Sequence, residues 1–212
     1  MNETRRPADP PCRPGGLFLT ERALSCCGFA DGARLLDLGC GTGATVRHVR
    51  RHYPFDITGC DLDPRAVAGQ KHLLCAAAER IPLGRGTLDG VLLECCLSLT
   101  ERPAVVLREC ARVLRPGGRL IVTDLYARGM AARFGGSLGR VEPRETLLTR
   151  VADPGFAVER WEDHSPLLRA LWGQRVLDRG AKAALGDVEG NPAALRAAKC
   201  GYFLLIARRE GA

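Results

Sequence analysis

The sequence predicts an α/β fold with a doubly wound, mainly parallel sheet and helices on both faces. Short apolar segments alternate with segments whose apolar residues recur at helical spacing. A glycine-rich turn at 39–43 joins the first apolar segment to a helix. Residues 88–93 form a near-continuous apolar run, which suits a strand covered on both faces. Such sheets bind ligands at the carboxyl ends of their strands, so the candidate functional residues directly follow each strand.

The elements can be placed in chain order. The first helix covers 17–27, strand one covers 33–38, and the glycine-rich turn begins a helix over 43–51 that ends before Pro54. Further strands are predicted at 55–60, 72–76, 88–93, 119–125, 156–161 and 201–207. Further helices are predicted at 65–70, 104–114, 143–151, 166–185 and 192–199. Residues 127–141 contain four glycines and fit an irregular connection.

The most informative segment is residues 35–43, an apolar strand that leads through Asp37 into the glycine-rich turn. Glycine has no Cβ and lets the backbone approach a ligand, and the helix behind it offers free N–H groups. These glycines fit both G-x-G-x-x-G/A and G-x-G-x-G, so they do not decide which nucleoside cofactor binds. Strand two ends in Asp61, whose carboxylate can accept hydrogen bonds from both ribose hydroxyls.

Four segments together resemble one family. Residues 37–43, Asp61, the Ile81-Pro82 pair and the Arg-Pro-Gly-Gly turn at 115–118 are similar to class I S-adenosylmethionine-dependent methyltransferases, of the small-molecule methyltransferase 11 type. The resemblance covers residues 30–126 in detail. It implies a Rossmann-like seven-stranded sheet of order 3-2-1-4-5-7-6 with strand seven antiparallel. An NAD-binding protein is the alternative, but it does not explain the Pro-Gly-Gly turn.

The resemblance also implies a cofactor and its site. The cofactor is S-adenosyl-L-methionine, the product is S-adenosyl-L-homocysteine, and no metal is expected. Asp37 would orient the loop and face the amino group, Asp61 would bind the ribose, and Leu62 would pack on the adenine. Ala77 stands where the family often has an acid near the adenine, so recognition there would depend on backbone groups. The full set of expected cofactor-binding residues is Asp37, Gly39, Cys40, Gly41, Thr42, Asp61, Leu62, Ala77, Ala78, Glu94 and Cys95.

The acceptor is a small molecule that the sequence does not identify. In the family the segment after strand four runs beneath the transferring methyl group, so Glu94 would meet the cofactor's amino group or act as a base. The other candidates for catalysis are Tyr126 and His164. The candidates for acceptor binding are Arg13, Cys96, Asp124 and Tyr126. Purely structural roles remain open for the histidine and for the cysteines, which also serve as small apolar residues.

The composition limits the partners and the location that fit this chain. The 212 residues carry a net charge of +7, but the basic residues are nearly all arginine, are scattered, and have few aromatic residues between them. We therefore do not expect nucleic acid as a partner. No signal peptide or membrane-length apolar run is found, which predicts a cytoplasmic protein with reduced thiols and no membrane partner. The sequence does not indicate an oligomeric state.

The domain organisation follows from the same patterns. We expect a flexible, proline-rich arm over 1–16 and a single domain over 17–212, with a lid or insert at 127–151 and 164–200. Three other functions stay open. One is a non-catalytic cofactor-binding or partner protein on this fold. The second is a thiolate-assisted arsenite methyltransferase, for which Cys12, Cys95, Cys96 and Cys200 would have to converge. The third is a methyltransferase that acts on nucleic acid, which the net positive charge alone would favour.

Overall fold

The computed structural model describes residues 11–179 and 192–211. The helices are α1 (Gly16–Cys27), α2 (Ala44–His52), α3 (Pro64–Val67), α4 (Pro103–Val113), α5 (Arg144–Ala152), α6 (Ser165–Arg179) and α7 (Pro192–Ala198), with a short 3₁₀ helix at Leu97–Leu99. The strands are β1 (Arg34–Leu38), β2 (Asp56–Asp61), β3 (Leu73–Cys75), β4 (Leu88–Glu94), β5 (Leu114–Ala127), β6 (Ala132–Arg133), β7 (Arg140–Val141), β8 (Phe156–Asp163) and β9 (Cys200–Arg209). Residues 1–10 of the predicted arm and 180–185 of the predicted helix 166–185 lie outside the described residues.

The main sheet has the order β3-β2-β1-β4-β5-β9-β8. Strands β1 to β5 pair in parallel, and β9 runs antiparallel between β5 and β8. The predicted order 3-2-1-4-5-7-6 with a reversed last strand is therefore confirmed, because β8 and β9 are the sixth and seventh strands of that scheme.

Both faces of the sheet are covered, as the apolar run in β4 predicts. Side chains alternate along a strand, so neighbouring residues enter different cores. Val91 packs with the core under α4 and α5, whereas Leu92 packs with the core under α1 and α2. Both residues are fully buried.

Strand β5 begins earlier than predicted. The sequence predicts a strand from residue 119, but Leu114 already pairs with Leu88 of β4. The register then shifts, and Arg119 pairs with Gly90. The Pro-Gly-Gly sequence lies in this irregularity, where a proline without an N–H donor is tolerated. Helix α3 is also shorter than the predicted 65–70, since it is a single turn capped by the Asp63 carboxylate.

A third apolar cluster covers the carboxyl end of β5 and the start of β9. It joins α1, α6, α7 and a small hairpin formed by β6 and β7, which lies inside the predicted irregular connection. Helix α5 instead packs on the main core through Leu147 and Val151. Within residues 127–151, the hairpin therefore covers the carboxyl end of β5. Of the helices that the structure describes, none is long and apolar enough to cross a bilayer.

Candidate functional site

The glycine-rich loop packs tightly against β2 and against the segment that follows β4. Gly39 has φ of 81°, and its N–H donates to the Cys60 carbonyl at 2.7 Å. A Cβ at residue 39 would lie 2.4 Å from the Cys96 sulfur. Glycine is thus required here both for the backbone conformation and for the approach of the segment after β4. The structure adds this packing reason to the ligand-approach reason that the sequence suggests.

Asp61 lies beside this loop at the tip of β2. Its Oδ2 accepts the Gly41 N–H at 2.7 Å, and its Oδ1 accepts the Asp63 N–H at 2.9 Å. Each carboxylate oxygen can accept a further hydrogen bond, so the group is fixed in orientation and still able to bind hydroxyls. This is the position that the sequence predicts for ribose recognition.

A buried polar cluster lies at the adjacent ends of β1 and β4, and its centre is an ion pair. Arg13 Nη2 donates to Glu94 Oε2 at 2.6 Å. The side chains are 12% and 1% exposed, respectively. Arg13 also donates to Thr20 on α1 at 2.7 Å and to Thr45 on α2 at 3.0 Å. Both threonines in turn donate to Glu94, at 2.8 and 3.1 Å.

This cluster changes the picture of the N-terminal segment. The sequence predicts that residues 1–16 are flexible and that Arg13 binds the acceptor. In the structure the Arg13 side chain is held under α1, and Gly15 packs against Leu19 and against Leu167 of α6. Residues 13–16 are therefore docked onto the domain by the ion pair and by apolar contacts. Glu94 is likewise fully engaged with protein partners.

Asp37 is the third charged residue of the cluster and is 3% exposed. Burial, with the nearby Glu94 carboxylate as the second cause, raises the pKa of Asp37 to about 8, while Arg13 opposes the shift. Two carboxylates therefore share one arginine. In a site of this kind a proton on Asp37 takes the place of a missing second cation.

The last residue of β4 and the two residues after it point their side chains in three directions. Glu94 reaches the ion-pair cluster, Cys95 contacts the Tyr202 hydroxyl on β9 at 2.9 Å, and Cys96 contacts Gly39. Cys95 has φ of 54°, a left-handed conformation that is uncommon outside glycine. Burial raises the pKa of the Cys95 thiol to about 12, so this sulfur is protonated at neutral pH.

A sequence profile of a family described as "Methyltransferase domain" matches residues 36–122. The O-methyltransferase of Pyrenophora dematioidea is 28% identical over 85% of this chain and 76% of its own length. The O-methyltransferase cnsE of Penicillium expansum is 32% identical over 46% of this chain and 40% of that protein. These matches confirm the resemblance to class I S-adenosylmethionine-dependent methyltransferases, and residues 36–122 match the methyltransferase domain itself. The solved structure of Haemonchus contortus phosphoethanolamine N-methyltransferase 2 with S-adenosyl-L-methionine shares the fold, with a TM-score of 0.72 over 94% of this chain and 54% of that chain at 17% identity.

A domain match over residues 36–122 leaves the activity of the chain to be argued from the site. The solved structure of the [4+2]-cyclase SpnF also matches, with a TM-score of 0.69 and 27% identity over 91% of this chain and 82% of that chain. The chain spans 40% of cnsE and 48% of the O-methyltransferase rstn1 of Aspergillus nomiae, which is less than half of either protein.

The adenine end of the predicted methyltransferase site is open. Leu62 follows Asp61 and is 71% exposed, which is a large exposed fraction for leucine. Ala77 and Ala78 are half-buried after β3, and the Ala77 carbonyl accepts the Arg80 N–H at 3.0 Å. Thr42 and Cys40 are half-buried in the glycine-rich loop. These residues all lie along the loops that follow β1, β2 and β3.

Asp124 does not join the ion-pair cluster. Its carboxylate accepts the N–H groups of Ser98 and Leu125, both at 2.8 Å, and so holds the loop after β4 against β5. Burial raises the pKa of Asp124 to about 6, although these backbone donors act in the opposite direction. Its hydrogen bonds are those of a structural anchor.

Tyr126 and His164 lie toward β8. The Tyr126 ring packs edge-on against Trp161 and Phe203 within the main core. The His164 ring is 3.0 Å from a Glu162 oxygen, and Glu162 is also bound by Arg22, the main cause that lowers its pKa to about 2. The structure therefore does not bring these two catalytic candidates to the Arg13–Glu94 pair.

Sequence reasoning missed three site residues, namely Thr20, Thr45 and Tyr202. Each contacts a residue far away in the chain, so no local spacing reveals it; Thr20 and Glu94 are 74 positions apart. The cysteines named for an arsenite site also separate, because Cys12 contacts Arg175 of α6 whereas Cys95 contacts Tyr202. Among the described residues, no group of three or more His, Cys, Asp or Glu side chains could hold a metal ion.

Proposed function

We propose that this protein is an S-adenosylmethionine-dependent methyltransferase that acts on a small-molecule acceptor. The observation that carries the proposal is the chemical polarity of the site. A carboxylate suited to ribose hydroxyls stands at one end of the glycine-rich loop, and a buried cluster of mixed charge stands at the other. A ligand with a nucleoside at one end and an amino acid at the other matches both ends.

The amino-acid end fits a zwitterion. Asp37 and Glu94 together carry one more potential negative charge than Arg13 can balance, so an ammonium group is favoured there. Arg13 Nε–H is buried and has no hydrogen-bond partner among the described residues, so a donor is left for a carboxylate. We assign Asp37 and Glu94 to the amino group and Arg13 to the carboxylate of the cofactor, in place of the acceptor role expected for Arg13.

The same charges argue against a dinucleotide. A diphosphate at the glycine-rich loop would lie near Asp37 and Glu94, and the arginine of this cluster is already paired with Glu94. Burying the negative charges of a diphosphate without a free cation to balance them is strongly unfavourable. The NAD alternative therefore loses its electrostatic basis as well as its sequence basis.

When bound, S-adenosylmethionine supplies an activated methyl group on a sulfonium. The chain contributes mainly by orienting this cofactor against the acceptor, since in-line positioning supplies much of the catalysis. The apolar cluster over β5 and β9 packs against Cys95, directly after Glu94, and includes partly buried Trp172 and Leu167. The acceptor would meet these apolar side chains together with Cys96. The cytoplasmic location expected from the sequence stays a prediction.

Isothermal titration with S-adenosylmethionine, S-adenosylhomocysteine and NAD tests the cofactor assignment. Asp61→Ala is expected to weaken binding of the first two by about 1.5–3 kcal/mol, as for hydrogen bonds to a charged group. The matched control is Asp63→Asn, because Asp63 is a neighbouring exposed acid that caps α3. Tighter binding of NAD, or equal loss in both variants, contradicts the assignment.

Whether the protein transfers the methyl group is a separate question from whether it binds the cofactor, because one structural neighbour is a [4+2]-cyclase. We expect transfer of a deuterated methyl group from labelled cofactor to a small molecule in a metabolite extract, detected by mass spectrometry. Cofactor binding without transfer to any acceptor would favour the alternative, a protein that uses this fold for another purpose.

A further inference from the structure

Cys95 is a strained junction at the end of β4. Its φ of 54° is one of three positive values among the described non-glycine residues. For such residues the left-handed conformation is disfavoured and persists only where surrounding contacts impose it. Cys95 also lies between two residues that contact different parts of the site, since Glu94 binds Arg13 and Cys96 packs against Gly39.

A buried hydrogen-bond chain holds this junction. The Tyr202 hydroxyl is 2.9 Å from the Cys95 sulfur and donates to Thr123 Oγ1 at 3.2 Å. A tyrosine has one hydroxyl proton, so Cys95 S–H is the donor to Tyr202. The Cys95 N–H also donates to the Thr123 carbonyl at 2.7 Å. Tyr202 and Thr123 are fully buried on β9 and β5.

We propose that Tyr202 is a positioning residue for the cofactor site, an inference that rests on the proposed function. Its hydroxyl holds Cys95 in the left-handed conformation, and that conformation fixes the directions of the Glu94 and Cys96 side chains. Among the described residues, Tyr202 makes no hydrogen bond to the glycine-rich loop or to either member of the ion pair. Its effect passes through the backbone of one residue. The reversed strand β9 thus contributes to the site on the parallel half of the sheet.

A packing role and a positioning role make opposite predictions at residue 95. If Cys95 only fills space, removing more side-chain volume should do more harm, so Cys95→Gly should be worse than Cys95→Ala. If the left-handed backbone is what matters, glycine adopts it freely and needs no anchor, whereas alanine loses the anchor and keeps the penalty. Cys95→Ser retains a donor to Tyr202.

The experiment measures the dissociation constant of S-adenosylhomocysteine for four variants. Tyr202→Phe and Cys95→Ala are expected to weaken binding about five- to tenfold, the equivalent of one net hydrogen bond. Cys95→Ser and Cys95→Gly are both expected to bind more tightly than Cys95→Ala on the same reasoning. In the Cys95→Gly background, Tyr202→Phe should cause almost no further loss of affinity, because glycine adopts the left-handed conformation without a hydrogen bond to Tyr202.

Two controls complete the design. Ile206→Val removes a methyl group from β9 in the core under α1 and α2 and should lower stability without changing affinity. Amide hydrogen exchange at Cys95 and Ser98 should quicken in Tyr202→Phe even without any ligand, so this readout stands if the cofactor assignment fails. Weaker binding by Cys95→Gly than by Cys95→Ala, or an equal Tyr202→Phe loss in both backgrounds, would overturn the proposal.

Discussion

The protonation state of Asp37 should make cofactor binding depend on pH. Asp37 has a pKa raised to about 8 by burial and by Glu94, so at pH 7 it is about nine-tenths protonated without ligand. An ammonium group that binds there needs the carboxylate form, and binding must expel the proton. Each pH unit below 8 then weakens binding by about 1.4 kcal/mol, or tenfold.

The amino group of the cofactor determines how the affinity changes above pH 8. An α-amino group has a pKa of about 8, so above that pH the ligand loses the charge that Asp37 would bind. The expected affinity therefore rises about tenfold from pH 6 to pH 7, reaches a maximum near pH 8, and falls again. Glu94, Arg13 and Asp61 also face Asp37, but the arginine stays charged throughout this range.

Titration calorimetry in buffers of different ionisation enthalpy measures this directly. At pH 7 about one proton should be released per cofactor bound. The Asp37→Asn variant should bind the cofactor more weakly at pH 8, and its affinity should no longer rise between pH 6 and pH 8. The Asp61→Asn variant should also bind more weakly, but its affinity should still rise over that range. A flat affinity between pH 6 and pH 7 in the parent protein would refute the reasoning.

The same shift has a consequence for stability. Folding raises the Asp37 pKa from 3.8 to about 8. Between these two pH values the native state therefore keeps a proton on Asp37 that the unfolded chain has lost. This carboxyl therefore lowers the stability of the cofactor-free protein as pH rises from 3.8 to 8. Chemical denaturation of Asp37→Asn should show a smaller decline over that range.

Two further predictions concern the ends of the site. Arg13→Ala is expected to lower the free energy of unfolding by about 3 kcal/mol, because it leaves Glu94 buried without its cation; denaturant titration checks this, and Arg13→Ala with Glu94→Gln should recover part of the loss. Leu62→Ala should leave the unfolding free energy within about 0.5 kcal/mol, since Leu62 is 71% exposed. It should nevertheless weaken cofactor binding, and an unchanged dissociation constant would show that Leu62 does not cover the adenine.

The fold could be predicted from the sequence because its signals are local. The apolar run of β4 and the glycine-rich turn each occupy a few consecutive residues, and residues 115–118 add the family's turn before β5. The hairpin of β6 and β7 was missed because each strand is two residues long, too short for any alternation to show.

The interior of the site could not be predicted in the same way. Asp61 follows a strand directly, and its position beside Gly41 is what that placement suggests. The partner of Arg13, by contrast, is 81 residues away, and that of Cys95 is 107 residues away. A charged residue in a proline- and glycine-rich segment is ordinarily solvated, so the sequence favours an open arm until the partner is known.

The charges at the ends of β1 and β4 are unusual for the interior of a sheet. A buried ion pair is commonly no better for stability than apolar residues of similar volume, and an unbalanced buried carboxylate is worse. Leu35, Leu36 and Val91, on the same strands, show that the chain packs apolar side chains there without difficulty. Asp37 and Glu94 therefore weaken the cofactor-free fold at the carboxyl ends of β1 and β4, where the glycine-rich loop also requires Gly39. On the proposed function, one ligand group explains both departures from a stable core: a cationic, amino-acid-like group would supply the missing positive charge and lie against the backbone of the loop.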